Sequence, residues 1–436
     1  MYDIIIGRSE KDRERFGTTG CVLLGKHYVK MGQTESLSSA VYLDVLRSHV
    51  VFVCGKRGGG KSYTMGVMAE GMALLPEEIR QNLAFVLVDT MGIYWTMKYP
   101  NQKDADLLEQ WGMKPDKFPV KVFTPQGLYS QARKDGIPTD APFSLRPSEL
   151  GAADWVTTFG LASSDPVAVL IERVVGELLE VHGEFSIENI IDAVRKAPGF
   201  DAAVKDAALN RFVAASKWGL FDVRGTPLTQ LVQPGQVTVL DISGYSMFDN
   251  SWSIKSLVTG MVAQKLFVER MRARKLEEYK EVHKSVSYFS DQAFVRQEFP
   301  LVWLVIDEAH EFLPREGQTL ASNPLITILR EGRQPGISLV LASQQPGKMH
   351  TDVLTQSDTV IAHRITARID TDALGALMQS YMRSGLDVEL DNLPREKGAA
   401  LVFDDTNEKL YPIRVRPRVS WHGGEAPTAL HRAPVK

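Results

Sequence analysis

Short apolar runs, each ending at a polar residue, recur along the chain and predict strands. They cover residues 50–53, 84–88, 237–240, 301–306 and 337–341. Uninterrupted apolar runs of this length are typical of strands that are buried on both faces of a parallel sheet. Because the runs alternate with helical patterns, we expect an α/β fold with a mostly parallel sheet covered by helices.

Helical patterns follow several of these runs. After the first run, apolar residues recur at helical spacing from Met65 to Leu75. A longer helix is predicted further along, with its apolar face at residues 254–266 and a heavily charged end at residues 269–280. Residues 280–299 show no clear period, so we expect a loop there.

The same patterns divide the chain into a core and three further segments. The predicted core comprises residues 49–97 and 231–418. Residues 98–230 contain long stretches with apolar residues at helical spacing, which predicts a largely helical insertion. Residues 1–48 are expected to lay a few strands or loops against the core, and residues 419–436 to form a C-terminal arm.

The composition is that of an ordinary globular protein. Of the 436 residues, 44% are hydrophobic and 24% are charged, so the chain can bury a large core. A formal net charge of −3 argues against a broadly basic nucleic-acid-binding surface, although positive charge could still be confined to a channel. The two cysteines, Cys21 and Cys54, suit a reducing compartment. No run approaches the ~18 apolar residues of a membrane span, so we expect a cytoplasmic protein without a membrane partner.

A phosphate-binding loop is predicted directly after the first apolar run. Gly55, Gly60, Lys61 and Ser62 fit the pattern G-x-x-x-x-G-K-[ST], in the required order of strand, loop and helix. Lys61 can reach the β- and γ-phosphates of a nucleoside triphosphate, and the Ser62 hydroxyl can bind Mg²⁺. The residues predicted to contact the nucleotide are Gly55, Lys56, Arg57, Gly58, Gly59, Gly60, Lys61, Ser62 and Tyr63.

Polar residues after two later strands complete the predicted nucleotide site. Asp307 and Glu308 follow the run 301–306, at the strand end where ligands bind in open parallel sheets. We expect Asp307 to hold Mg²⁺, mostly through water, and Glu308 to polarise the water that attacks the γ-phosphate. Gln344 follows the run 337–341 and is predicted to sense the γ-phosphate or this water. The alternative for Gln344 is a strand-end amide that binds loop backbone.

Hydrolysis needs further positive charge on the γ-phosphate, and an arginine from a neighbouring subunit is a recurring source. Arg333, in the turn before the run 337–341, and Arg364, after a predicted strand at 359–362, are the two candidates. Asp89, at the end of the run 84–88, either orients water at the site or caps its own loop.

The motifs together resemble the HerA branch of the HerA/FtsK ATPase family. They read, in order, GKRGGGKSYTMG, VDTMGIYW, VIDEAHEFLP, ILREGRQPGISLVLASQQP and IRVRPR. The resemblance implies a RecA-like (ASCE) P-loop NTPase core, assembled as a homo-hexameric ring that binds ATP and Mg²⁺ between subunits. It also implies translocation on double-stranded DNA, with a nuclease partner of the NurA type. By the same resemblance, Lys61 and Ser62 are the Walker A residues, Asp307 and Glu308 the Walker B pair, Gln344 the sensor and Arg333 the arginine finger.

The chain departs from this family in two places. Many members carry a β-barrel of about a hundred residues before the core, whereas here the phosphate loop begins at Gly55. Ile93 stands where many members carry an acid. A second function is therefore kept open, in which a nucleotide-gated ring regulates a partner effector with little translocation. The stretch Arg414, Arg416 and Arg418 also has two interpretations, a solvated tail or a segment that braces a neighbouring subunit.

Overall fold

The structure is a computed structural model that describes residues 3–31, 34–181, 183–286, 299–365, 367–377, 389–390 and 392–425. Its strands are β1 (Ile4–Ile6), β2 (Cys21–Met31), β3 (Thr34–Asp44), β4 (Val50–Cys54), β5 (Leu83–Asp89), β6 (Lys121–Pro125), β7 (Ala141–Phe143), β8 (Val237–Asp241), β9 (Leu301–Ile306), β10 (Ile337–Ser343), β11 (Thr359–His363), β12 (Ala399–Asp404) and β13 (Lys409–Val415).

The α-helices are α1 (Glu10–Phe16), α2 (Lys61–Ala73), α3 (Glu77–Arg80), α4 (Ala105–Gln110), α5 (Gln126–Lys134), α6 (Ala152–Thr158), α7 (Pro166–Val181), α8 (Ile187–Lys196), α9 (Ala202–Ser216), α10 (Leu228–Leu231), α11 (Ser251–Val286), α12 (Ser322–Glu331), α13 (Thr351–Gln356) and α14 (Arg368–Leu377).

These strands form one sheet in the order β1-β3-β2-β13-β12-β11-β4-β10-β9-β5-β8-β6-β7. Every neighbouring pair from β11 through β4 to β7 is parallel. Antiparallel pairing is confined to the run from β11 through β12, β13 and β2 to β3. The predicted α/β fold with a mostly parallel sheet is confirmed. Strand β10 lies between β4, which leads into the phosphate loop, and β9, which leads into Asp307.

Alternate residues of β4 face opposite sides of the sheet. Phe52 and Cys54 join the apolar core on one face, and Val51 and Val53 join the core on the other. Because both faces are buried, the strand is apolar throughout. Helix α2 covers the second face, while α11 and the helices α6–α9 cover the first.

The predicted long helix is present as α11 and extends further than expected. Its charged end stays helical because Glu, Lys and Arg favour helices and pair across one turn, as Arg274 Nη2 and Glu278 Oε1 do at 3.1 Å. The first part of the predicted loop, up to Val286, is therefore helix. Residues 287–298 of that predicted loop lie outside the described residues.

The segment predicted to be largely helical also contains the strands β6 and β7. Both are short and carry a proline, so the alternating pattern of a strand is hidden in the sequence. They become strands because β6 pairs with β8, and β7 with β6, which extends the sheet at its edge.

The N- and C-terminal segments meet on the same sheet. Strand β2 pairs with β13, so residues 3–31 and 34–44 continue the sheet of the core. Neither interpretation of the arginine stretch holds for Arg416 and Arg418, which are 2% and 0% exposed and pair with Glu70 of the same chain. The ion pairs with Glu70 compensate the cost of burying these two guanidinium groups. Residues 426–436 of the predicted arm lie outside the described residues.

Candidate active site

The phosphate loop connects β4 to α2 at the carboxyl edge of the parallel strands. Gly60 has φ +115°, a conformation that a side chain rarely adopts, and it is the residue before α2 begins. Gly55 is also required, because a Cβ there would lie 2.7 Å from the Cβ of His363 on β11. The loop therefore depends on glycine for its own backbone and for its packing on the neighbouring strand.

Lys61 lies inside this loop, as its predicted role requires. Its Nζ donates to the carbonyl oxygen of Gly55 at 3.0 Å and to that of Lys56 at 3.3 Å. Burial lowers the pKa of Lys61, and the carboxylates of Asp307 and Glu308 oppose that shift. The ammonium group is thus held among the loop carbonyls, next to the acids after β9.

Ser62 and Asp307 are brought together from positions far apart in the chain. The Ser62 hydroxyl, in the first turn of α2, donates to Asp307 Oδ2 at 2.8 Å. Burial raises the pKa of Asp307, and the hydrogen bond from Ser62 opposes that shift. A hydroxyl and a carboxylate side by side at the phosphate loop are the oxygen donors that Mg²⁺ binds, so these residues fit the predicted metal.

Glu308 is held in a left-handed backbone conformation, with φ 51° and ψ 42°. For a residue other than glycine this conformation is strained, and such strain is concentrated at functional sites. Its Oε1 accepts a hydrogen bond from Gln344 Nε2, whereas its buried Oε2 has no hydrogen-bond partner. One carboxylate oxygen is thus fixed and the other is left available to accept a proton or polarise a water molecule.

His310 belongs to the surroundings of these acids. Its Nδ1 lies 3.2 Å from the Ser343 hydroxyl and 3.6 Å from Glu308 Oε2. Burial lowers the pKa of His310, which favours a neutral ring. The contacts fit a histidine that supports the strand ends.

The two candidate arginines lie at opposite ends of the parallel strands. The backbone carbonyl of Arg364 accepts a hydrogen bond from the backbone N–H of Lys56 at 3.2 Å, so Arg364 lies beside the phosphate loop of its own chain. Arg333 is exposed in the turn before β10, where it lines a cavity of about 880 Å³. The whole length of β10, roughly 23 Å at ~3.3 Å per residue, separates Arg333 from Gln344. The structure therefore brings Arg364, but not Arg333, to the site of the same chain.

His363 is a site residue that the sequence did not reveal. Its Nδ1 donates to the Ala399 carbonyl at 3.1 Å, so its Nε2 accepts from the Thr64 hydroxyl at 2.8 Å. Burial lowers the pKa of His363 to about 4, and the ring is neutral at physiological pH. A histidine at the end of an apolar run is the only local signal, and it does not show that β11 lies next to the phosphate loop.

Asp89 caps its own loop. Its carboxylate accepts hydrogen bonds from the backbone N–H groups of Met91, Gly92, Ile93 and Tyr94. Burial, and then repulsion from the carboxylate of Asp241, raise the pKa of Asp89 to about 7. Of the two interpretations left open by the sequence, this arrangement matches the capping role, and Ile93 contributes its backbone to the cap.

Comparison with known proteins places the chain in a family. The family model described as "Helicase HerA, central domain" matches residues 24–266, which is more than half of the chain. The chain belongs to the HerA central-domain family. Residues 307, 308, 333 and 344 lie beyond the matched region, so the arrangement around them is supported by the geometry given above.

Two curated relatives named HerA match about a third of the chain. The "DNA double-strand break repair helicase HerA" of Pyrococcus furiosus is 28% identical over 155 residues, which is 33% of this chain and 27% of the relative. The "Probable DNA double-strand break repair helicase HerA" of Methanocaldococcus jannaschii is 32% identical over 141 residues, which is 30% of this chain and 26% of the relative. The chain thus matches about a quarter of the length of each relative.

A solved structure shares the fold over almost the whole chain. VirB4 of Thermoanaerobacter pseudethanolicus superposes with a TM-score of 0.57 at 13% identity, covering 92% of this chain and 97% of that chain. This similarity supports the predicted α/β fold with a mostly parallel sheet. In the part of the chain that the structure describes, no helix has the length and apolarity needed to cross a membrane.

Proposed function

We propose that this HerA-family protein hydrolyses ATP with Mg²⁺, and that a ring of its subunits uses the hydrolysis to move double-stranded DNA. The ATPase activity in this proposal is supported by one observation, which is that four side chains meet at the carboxyl ends of the parallel strands. They are Ser62 with Asp307, and Glu308 with Gln344. Their residue types match the requirements of phosphoryl transfer to water, which are positioning and charge stabilisation.

Each residue has a distinct role in this proposal. The loop backbone and the Lys61 ammonium bind the phosphates, and Lys61 exchanges its loop carbonyls for phosphate oxygens. Ser62 and Asp307 hold Mg²⁺, which neutralises charge that develops on the phosphates. Glu308 Oε2 accepts a proton from, or polarises, the attacking water, while Gln344 keeps the carboxylate oriented.

Arg333 supports the assembly of several subunits. Because it lies a full strand length from the site of its own chain, it can act on ATP only from a neighbouring subunit. A contact between the Arg333 face of one copy and the ATP face of the next is head-to-tail, and such contacts close into rings. From the family resemblance, we propose that the ring has six subunits. Arg364, beside its own phosphate loop, would act within the same subunit.

The DNA substrate in this proposal rests on the names of the relatives, and the partner rests on the family resemblance. Two HerA proteins that match the chain are named as DNA double-strand break repair helicases. We extend this to double-stranded DNA passing through the ring, and to a nuclease or other effector partner in DNA end processing or antiviral defence. A cytoplasmic location belongs to the same proposal.

The steady-state ATPase rate with and without linear duplex DNA tests this function, together with the mass of the protein in solution. We expect a hexamer whose hydrolysis is stimulated by DNA, and whose stimulation falls steeply as salt rises, because DNA binding releases counterions. A monomer, or a ring whose rate ignores DNA at every salt concentration, contradicts the motor proposal.

The second candidate is a nucleotide-gated ring that regulates an effector protein with little DNA translocation. The formal net charge of −3 favours it, since DNA motors need positive charge along the DNA path. It predicts slow hydrolysis that responds to the partner protein more than to DNA, so the same assay with a candidate partner distinguishes the two functions.

A further inference from the structure

A cavity of about 540 Å³ is lined in part by the phosphate loop and by the first residues of α2. Its volume lies within the ~300–1,000 Å³ typical of small-molecule sites. Residues 58–62 of the phosphate loop and α2, with the adjacent Tyr63, form one part of its lining. The rest comes from three distant parts of the chain, within residues 103–107, 397–398 and 414–425, and includes Leu107, Pro417 and His422.

The wall of this cavity is a C-terminal strap, defined here as residues 417–425, and it is fastened to α2. The carboxylate of Glu70 accepts hydrogen bonds from Arg418 Nε at 3.3 Å and from the Ser420 backbone N–H at 3.0 Å. Arg416 Nη1 donates to the same carboxylate at 2.7 Å. Gly66, one turn earlier in α2, makes room for the guanidinium, since a Cβ there would lie 2.6 Å from Arg418 Nη1. The helix that starts at the phosphate loop therefore also positions the strap.

Two rings are oriented toward the cavity by the same strap. The Arg418 backbone N–H donates to the Tyr63 hydroxyl oxygen at 2.6 Å, and Arg418 Nη1 contacts His422 Nδ1 at 3.2 Å. Because a guanidinium can only donate, His422 Nδ1 accepts, and the Nε2 of the neutral ring carries the proton. The ring of His422 packs edge-on against Tyr63 with centroids 5.2 Å apart. Both rings are thus fixed in orientation before any ligand binds.

Two ion pairs connect the end of the strap to neighbouring parts of the cavity lining. Glu425 at the end of the strap pairs with Lys103, and its Oε1 lies 3.9 Å from Lys397 Nζ. These pairs connect the strap to the start of α4 on one side and to the turn before β12 on the other.

We infer that this cavity binds the base and ribose of the nucleoside triphosphate, and that the strap supplies its specificity. The inference rests on the proposed ATPase function, because it needs the phosphates on the loop at residues 55–60. The reasons are continuity with that loop, apolar side chains at Leu107 and Pro417 for a flat ring, and the Nε2–H of His422 as a fixed donor to a ring nitrogen or a ribose oxygen. Tyr63, which the sequence places among the nucleotide-contacting residues, forms part of the same wall.

Calorimetry on the full chain can measure the binding of ATP and of inorganic tripolyphosphate. Comparing the two affinities distinguishes the contribution of this cavity from that of the phosphate loop. For the wild type we expect ATP to bind at least about tenfold more tightly than tripolyphosphate. His422→Ala removes a hydrogen bond and part of the wall, so its ATP affinity should fall about tenfold. Its tripolyphosphate affinity should stay within about twofold, because the loop is unchanged.

A second variant tests whether weaker ATP binding in His422→Ala is caused by a general loss of structure. Leu107→Trp places a large ring in the cavity and should also weaken ATP but not tripolyphosphate. The same substitution at the exposed Leu276 of α11 is the matched control and should change neither. Equal wild-type affinity for the two ligands, or unchanged ATP affinity in both cavity variants, overturns the inference. Failure of the wild type to bind either ligand contradicts the ATPase proposal instead.

Discussion

Gln344 Nε2 donates a hydrogen bond to Glu308 Oε1, joining the ends of the adjacent strands β10 and β9. The contact fixes one oxygen of the carboxylate, and the other oxygen is buried without a hydrogen-bond partner. The residue predicted to sense the γ-phosphate therefore touches the residue predicted to activate water. A change at the γ-phosphate that Gln344 senses can therefore reach the Glu308 carboxylate through a single hydrogen bond.

Glu308→Gln should stop turnover and keep nucleotide binding. The amide has nearly the shape of the carboxylate but cannot accept a proton, so we expect the rate of ATP hydrolysis to fall at least ~100-fold. The Kd for ATP should change by less than about threefold. Hydrolysis rates and calorimetric Kd values measure both, with Glu311→Gln as a control on a more exposed neighbour. Turnover near the wild-type rate in Glu308→Gln contradicts the assignment of Glu308 as the general base.

Lys61→Ala should abolish ATP binding. The ammonium group is the buried positive charge that the loop holds among its own carbonyls, and charge-assisted hydrogen bonds to phosphate are lost with it. We expect ATP affinity to fall at least ~100-fold, measured by calorimetry. Lys114→Ala, on the surface, is the control and should bind ATP like the wild type.

Arg333→Ala should lose hydrolysis and regain part of it when mixed with Glu308→Gln subunits. An arginine finger is worth roughly 1,000-fold in rate, and the mixed ring restores interfaces that carry both Arg333 and Glu308. The ATPase rate across mixing ratios is the measurement. Arg330→Ala removes a neighbouring surface arginine that pairs with Asp352, and it should change the rate by less than about twofold. Absence of rescue at every ratio indicates a structural arginine.

Glu70→Ala should destabilise the fold strongly. It leaves Arg416 and Arg418 buried without their partner, and breaking a buried ion pair in this way costs about 3–5 kcal/mol of unfolding free energy. Urea denaturation measures the loss. Glu177→Ala breaks an exposed pair with Arg173 and should cost less than ~1 kcal/mol. Similar stability of the two variants contradicts the role assigned to Glu70.

His363 should make stability depend on pH below neutrality. Burial holds its pKa at about 4 in the folded state, against 6.5 for an unperturbed histidine. Below pH ~6.5 the unfolded chain binds a proton on this histidine that the folded chain excludes, so the stability that neutral His363 contributes is fully present only above pH ~6.5. As pH falls to ~4, the free energy of unfolding decreases by up to about 3 kcal/mol.

The difference in unfolding free energy between the wild type and His363→Asn, taken across pH 4–7 by urea denaturation, isolates this effect. Other groups shift as well, among them His49, whose pKa is raised to about 9 by its contacts with Asp358 and Asp44 against the effect of burial. Such groups cancel in the difference because both proteins contain them. A difference that does not change with pH contradicts the buried, neutral state of His363.

Much of the site could be predicted because its signals are local. The phosphate loop is a run of consecutive residues with a recognisable pattern of glycines followed by a lysine and a serine. Asp307 and Glu308 directly follow a strand that is visible as an apolar run. The fold class followed from the same runs, since buried parallel strands are continuously apolar. The strands β6 and β7 were missed because their pattern is short and interrupted, and pairing with β8 decides their conformation.

Local patterns thus fixed the fold class, the phosphate loop and the acids after β9, because backbone conformation and burial are encoded within a few neighbouring residues. Tertiary structure alone decided that His363 supports the loop, that Arg364 and not Arg333 lies beside the site of its own chain, and that Glu70 is paired with Arg416, which is 346 residues away. These contacts depend on the order of strands in the sheet, and no short segment of sequence carries that order.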